Sequence, residues 1–127
     1  MKPITHEWVS KAENDYTSAR ILLNAADEVY DAVCFHAQQC CEKYLKAWLI
    51  EQDITFPRIH DLEALAKLCA LSASEVGLLM DDLRLLTSYA VEVRYPGASA
   101  DRSDAEACLT IATKVRSMLH SKLTLEE

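Results

Sequence analysis

A chain of 127 residues, half of them hydrophobic, can bury about two thirds of its unfolded surface and is read as one domain over 1–127. Its net charge of −7, from 20 acidic and 13 basic residues, argues against a general nucleic-acid coat, which needs surplus Lys and Arg for phosphates. A local basic cleft remains open. Two glycines and three prolines are too few for the turns of a β-rich domain, so an all-α fold is expected.

The first helix is predicted from about Thr5 to Ala26. Trp8, Ala12, Tyr16, Ala19 and Leu23 recur at the period of one helix face, and Thr5 is read as its N-cap. Asp27 and Glu28 mark a short connection, which implies an antiparallel hairpin with the next helix. That second helix, about Tyr30 to Gln52, carries a wide apolar stripe from Tyr30 through Ala37 and Tyr44 to Leu49, so a central position is expected. Asp53 to Ile59 is a loop around Pro57.

A shorter helix is predicted over His60 to Leu71. Ser72 and Glu75 have capping-box spacing, and a long helix from Ala73 to Val93 is expected to follow. Pro96-Gly97 then forces a second break, between Arg94 and Arg102. Ser103 and Glu106 repeat the capping-box spacing before a last helix with Ala105, Cys108, Ala112, Val115 and Leu119 on one face. A frayed tail is expected over Thr124 to Glu127. The result is an up-and-down bundle of four to five helices.

The five cysteines, Cys34, Cys40, Cys41, Cys69 and Cys108, are odd in number and lie on or beside apolar stripes. They read as reduced core residues. No apolar run reaches about 18 residues, so no membrane span is expected. Met1 to Ser10 has no signal-peptide core, and a cytoplasmic location follows.

Three polar clusters stand out. Gln39, Glu42, Lys43 and Lys46 share one side of the second helix. They read either as a rim for a nucleotide or partner, or as a solvated face with a Glu42–Lys46 pair. His60 and Asp61 sit where a helix begins, and capping is the commoner role there. Arg94 and Tyr95 precede the Pro96 turn, and this pair suits a phosphate or base contact as well as a helix end. His36 and Cys40 are four apart, but two ligands are too few for zinc; no metal or cofactor is expected.

Taken in order, Trp8, Asp15 and Ala19, then Gln39, Glu42, Lys43, Lys46 and Ala47, then His60-Asp61-Leu62, then Arg94-Tyr95-Pro96, resemble the HEPN domain (higher eukaryotes and prokaryotes nucleotide-binding). The likeness runs from about His6 to Leu119. It implies an up-and-down helical bundle of a small prokaryotic type, usually a homodimer.

Many HEPN proteins are metal-independent RNases or toxins with an Arg-x4–6-His signature. Here Arg94 matches the arginine, but no histidine follows at that distance, and Arg116 and His120 are only Arg-x3-His. No catalytic residue is therefore assigned. The resemblance instead implies a non-catalytic module that binds a nucleotide, RNA or a partner through Gln39, Lys43, Lys46, His60, Arg94 and Tyr95. A minimal nucleotidyltransferase in a toxin–antitoxin-like pair is the expected partner. The alternatives are an RNase toxin with a rearranged site, using His60 or His120, and a purely structural helical dimer.

Overall fold

A computed structural model describes residues 1–125. Its first two helices, α1 (Pro3–Leu23) and α2 (Tyr30–Glu51), lie antiparallel: Thr5 meets Glu51 at one end and Asp15 meets His36 towards the other. Then come α3 (Leu62–Ala70), a 3-10 turn (Ser74–Leu79), α4 (Met80–Glu92) and α5 (Arg102–Leu125). The long helices run up and down, and α2 packs against α1, α3, α4 and α5. This is an all-α bundle, with no strand among the described residues. No helix is long and apolar enough to cross a membrane among the described residues.

The wide stripe on α2 explains its central place. Ala37, Cys41, Tyr44, Leu45 and Leu49 are all fully buried in one core with Leu62 and Leu65 of α3, Leu83 and Leu86 of α4, and Val115 and Leu119 of α5, while Val33 joins Ala19, Leu23 and Ala105 in a smaller cluster. All five cysteines are buried and free. Burial pushes the Cys40 and Cys69 thiols up to about 12 and holds the Cys41 thiol well above the ordinary thiol range. Cys108 Sγ donates to Cys34 Sγ at 3.3 Å, which lowers the Cys34 thiol and raises that of Cys108.

Helix ends differ from the expectations in several places, and the first helix also stops at Leu23, before Ala26. The first helix starts at Pro3, whose fixed φ suits the first position. Thr5 is not a cap but a buried residue whose hydroxyl donates to Glu51 Oε1 at 2.8 Å. The third helix begins two residues after His60, because Asp61 Oδ1 takes the amides of Glu63 and Ala64 and so occupies the cap.

Ser72 does not cap either. Its hydroxyl accepts from Trp48 Nε1 at 2.9 Å, and the expected long fourth helix is divided into the 3-10 turn and α4. The last helix is capped by Asp101 and Asp104, which exchange backbone-to-carboxylate bonds of 3.0 and 2.8 Å, rather than by Ser103 and Glu106. That helix continues to Leu125. The rest of the expected frayed tail, Glu126 and Glu127, lies outside the described residues.

Candidate functional site

A cleft of about 460 Å³ opens between α2, the start of α3 and α4. Gln38 lines it from α2, His60 from the loop after Pro57, and Arg84, Thr87 and Arg94 from α4 and the residues after it. Arg84 is neutralised by Glu63 and by Asp81, the latter at 3.2 Å. Arg94 has only Gln38 Oε1, at 3.4 Å, and forms no ion pair among the described residues. Its guanidinium is therefore the charge in the cleft with unspent donors.

His60 is held from behind. Its Nδ1–H donates to Glu42 Oε2 at 3.0 Å, while the imidazole itself stays 81% exposed. Lys46 donates to the same oxygen at 3.1 Å and stands 5.7 Å from the centre of the Trp8 ring. Glu42 is 4% exposed and Lys46 is 7% exposed. The reading of these two residues as a solvated face was wrong: they form a buried ion pair, shielded by Trp8 and the loop that carries His60. Glu42 Oε1 has no hydrogen-bond partner although it is buried.

The profile of the HEPN domain matches residues 5–122. The chain belongs to the HEPN family. Two solved structures share the fold. The archaeal HEPN homologue ST0689 superposes with a TM-score of 0.70 at 23% identity, covering 96% of this chain and 98% of that one. TT1696 from Thermus thermophilus gives 0.73 at 22% identity, with 93% and 97% covered. No curated protein matches the chain.

Within this HEPN domain the residues singled out from sequence separate into groups. His60 and Arg94 line one cleft although they are far apart in the chain, and Lys46 reaches it through Glu42. Lys43 lies elsewhere, bonded at 2.5 Å to Asp15, which also accepts from His36 Nδ1–H at 2.8 Å. Gln39 is half-buried and outside the cleft; its neighbour Gln38 reaches Arg94 instead. Tyr95 is 66% exposed and does not line the cleft.

Arg116 belongs to another network. Its Nε and Nη2 donate to Glu13 at 2.6 and 2.8 Å, and the Tyr44 hydroxyl donates to Glu13 at 2.6 Å. That triangle ties α1, α2 and α5 together, so Arg116 is a structural buttress. Among the described residues, no group of three His, Cys, Asp or Glu is placed to hold a metal.

Sequence reasoning missed Gln38, Arg84 and the burial of Glu42. Gln38 lies one helical turn before Glu42, so taking the chosen face one turn further back from Glu42 would have included it. No spacing signal pairs His60 with Arg94, because a whole helix separates them.

Proposed function

We propose that this domain is a non-catalytic binding module whose α2–α3–α4 cleft holds the phosphate of a nucleotide or of an RNA segment. Arg94 carries the reading: it is exposed, unpaired with any carboxylate among the described residues, and positioned by the Gln38 amide. A guanidinium offers a planar fork of donors that suits phosphate oxygens. His60 stands beside it as a further donor or stacking face.

The reading is extended, on family grounds, to a cytoplasmic homodimer in a toxin–antitoxin-like pair with a minimal nucleotidyltransferase. Light scattering at tens of micromolar tests the dimer; a monomer there sinks that part.

Titration with AMP and with a short single-stranded RNA tests the cleft. Arg94→Ala is expected to weaken binding about 10- to 100-fold, the worth of a charge-assisted hydrogen bond. Unchanged affinity would return Arg94 to a helix-ending role. A second reading, RNA cleavage without metal, is favoured by one observation: His60 and Arg94 share the cleft. An imidazole could take the 2′-hydroxyl proton while the arginine holds the phosphate. Incubation with labelled RNA separates the two. Cleavage that disappears in both Arg94→Ala and His60→Ala would replace the non-catalytic reading.

A further inference from the structure

Most of the charge lining the cleft is already engaged. Asp61 takes the amides of Glu63 and Ala64 as the cap of α3. Glu63 and Arg84 hold each other, and Asp81 takes Arg84 as well, at 3.2 Å. Arg94 reaches only the Gln38 amide oxygen. A phosphate seated on Arg94 therefore has one further lining group that can become a cation beside it, and that group is His60.

Which ring nitrogen His60 offers is decided behind the cleft wall. Nδ1 lies 3.0 Å from Oε2 of the buried Glu42. A carboxylate accepts and does not donate, so this bond requires the proton on Nδ1. Lys46, a donor to the same oxygen at 3.1 Å, holds the carboxylate in that role. Nε2 is on the opposite edge of a ring that is 81% exposed. In the neutral ring with its proton on Nδ1, Nε2 has only a lone pair, which repels a phosphate oxygen. Once protonated, the same nitrogen donates and carries positive charge.

We propose that His60 is a proton-linked phosphate ligand and that Glu42 is its positioning residue. Glu42 pins the neutral ring in the tautomer that cannot donate to phosphate, so a phosphate on Arg94 binds together with one proton. The inference rests on the cleft being a phosphate site. Solvent supplies the proton to Nε2, the new N–H bonds to a phosphate oxygen, and Nδ1–H keeps its bond to Glu42. The imidazolium then stands between two anions, and Lys46 stays on Glu42. The bound state holds one proton more than the free state, so affinity rises as pH falls.

The probe is a short 2′-O-methylated oligouridylate without terminal phosphates. It has no 2′-hydroxyl to cleave, and it does not titrate between about pH 5.5 and 8, where histidines as a class change charge. At fixed ionic strength its affinity is expected to rise about tenfold or more across that range, the worth of one hydrogen bond between charged groups. Calorimetry in buffers of different ionisation heat should show proton uptake on binding. In His60→Ala the rise and the uptake are expected to vanish while binding through Arg94 remains. In Glu42→Met/Lys46→Met, checked for folding by circular dichroism, the neutral ring is free to carry its proton on Nε2. The ratio of affinities at low and high pH is then expected to shrink, whereas a purely structural Glu42 would weaken binding equally at both. Nitrogen NMR of the wild-type ring needs no variant and should find the neutral form protonated on Nδ1.

Equal affinity at both ends of the range, with Arg94→Ala still weakening binding, would overturn the proton linkage and leave the phosphate reading standing. A rise that survives in His60→Ala would overturn it too. A neutral ring protonated on Nε2, or an unchanged ratio in the double variant, would remove Glu42 as the positioning residue and overturn the proposal. Absence of wild-type binding at millimolar concentration would overturn both readings.

Discussion

Glu13→Ala is expected to destabilise the bundle by about 2–3 kcal/mol, mainly through a residue that it does not replace. Tyr44 has no exposed surface, and its hydroxyl donates to Glu13 Oε2 at 2.6 Å. Losing that acceptor orphans a buried hydroxyl, at about 1–3 kcal/mol. The Arg116 contact is one third exposed on both sides, so its loss adds only about 0.2–1 kcal/mol. Urea unfolding followed by circular dichroism measures the sum.

The double variant Glu13→Ala/Tyr44→Phe should recover about 1 kcal/mol, because no hydroxyl is then left without a partner. The pH dependence gives a second check. The hydrogen bond from Arg116 is the largest cause holding the Glu13 carboxyl below its usual value of 4.5; the bond from Tyr44 also lowers it, and burial opposes both. A depressed carboxyl contributes stability that is full above the unfolded value and is lost as pH falls through the folded one. The gap between wild type and Glu13→Ala should therefore be complete at pH 7 and shrink below pH 4.5. A cost under about 0.5 kcal/mol at pH 7, or a gap that widens on acidification, would refute the reasoning.

Three further outcomes are expected. Lys46→Met alone leaves Glu42 as a buried charge with only His60 beside it and should cost about 3 kcal/mol in the same unfolding assay. The Glu42→Met/Lys46→Met pair should recover most of that loss. Thiol labelling at pH 8 should be slow at all five cysteines in the folded protein and rapid in urea, since all five are buried; fast labelling of native Cys40 or Cys69 would contradict their packing. Asp101→Ala removes an oxygen that accepts the Asp104 amide and should lower stability by about 1 kcal/mol, measured as a shift in the urea midpoint.

Much of this HEPN domain was legible from local pattern. The apolar stripe from Tyr30 to Leu49 marked a central helix because helix periodicity is a property of neighbours in the chain. The breaks at Pro57 and Pro96-Gly97 were legible for the same reason: a proline removes a backbone donor wherever it stands, and Gly97 takes a φ of 93° that other residues avoid.

Helix ends were read less well. Serine, threonine and aspartate at several nearby positions could each have capped, and tertiary contacts chose among them. Thr5 was drawn to Glu51 and Ser72 to Trp48, while Pro3 opens α1 and Asp101 with Asp104 caps α5. The candidate site lay further out of reach. Glu42 and Lys46 look solvated on a helical wheel, and only the packing of Trp8 and the His60 loop over that face buries them. Arg94 and His60 line one cleft because α3 and α4 fold back along α2. That proximity depends on how several helices pack at once, and no local spacing in a single chain encodes it.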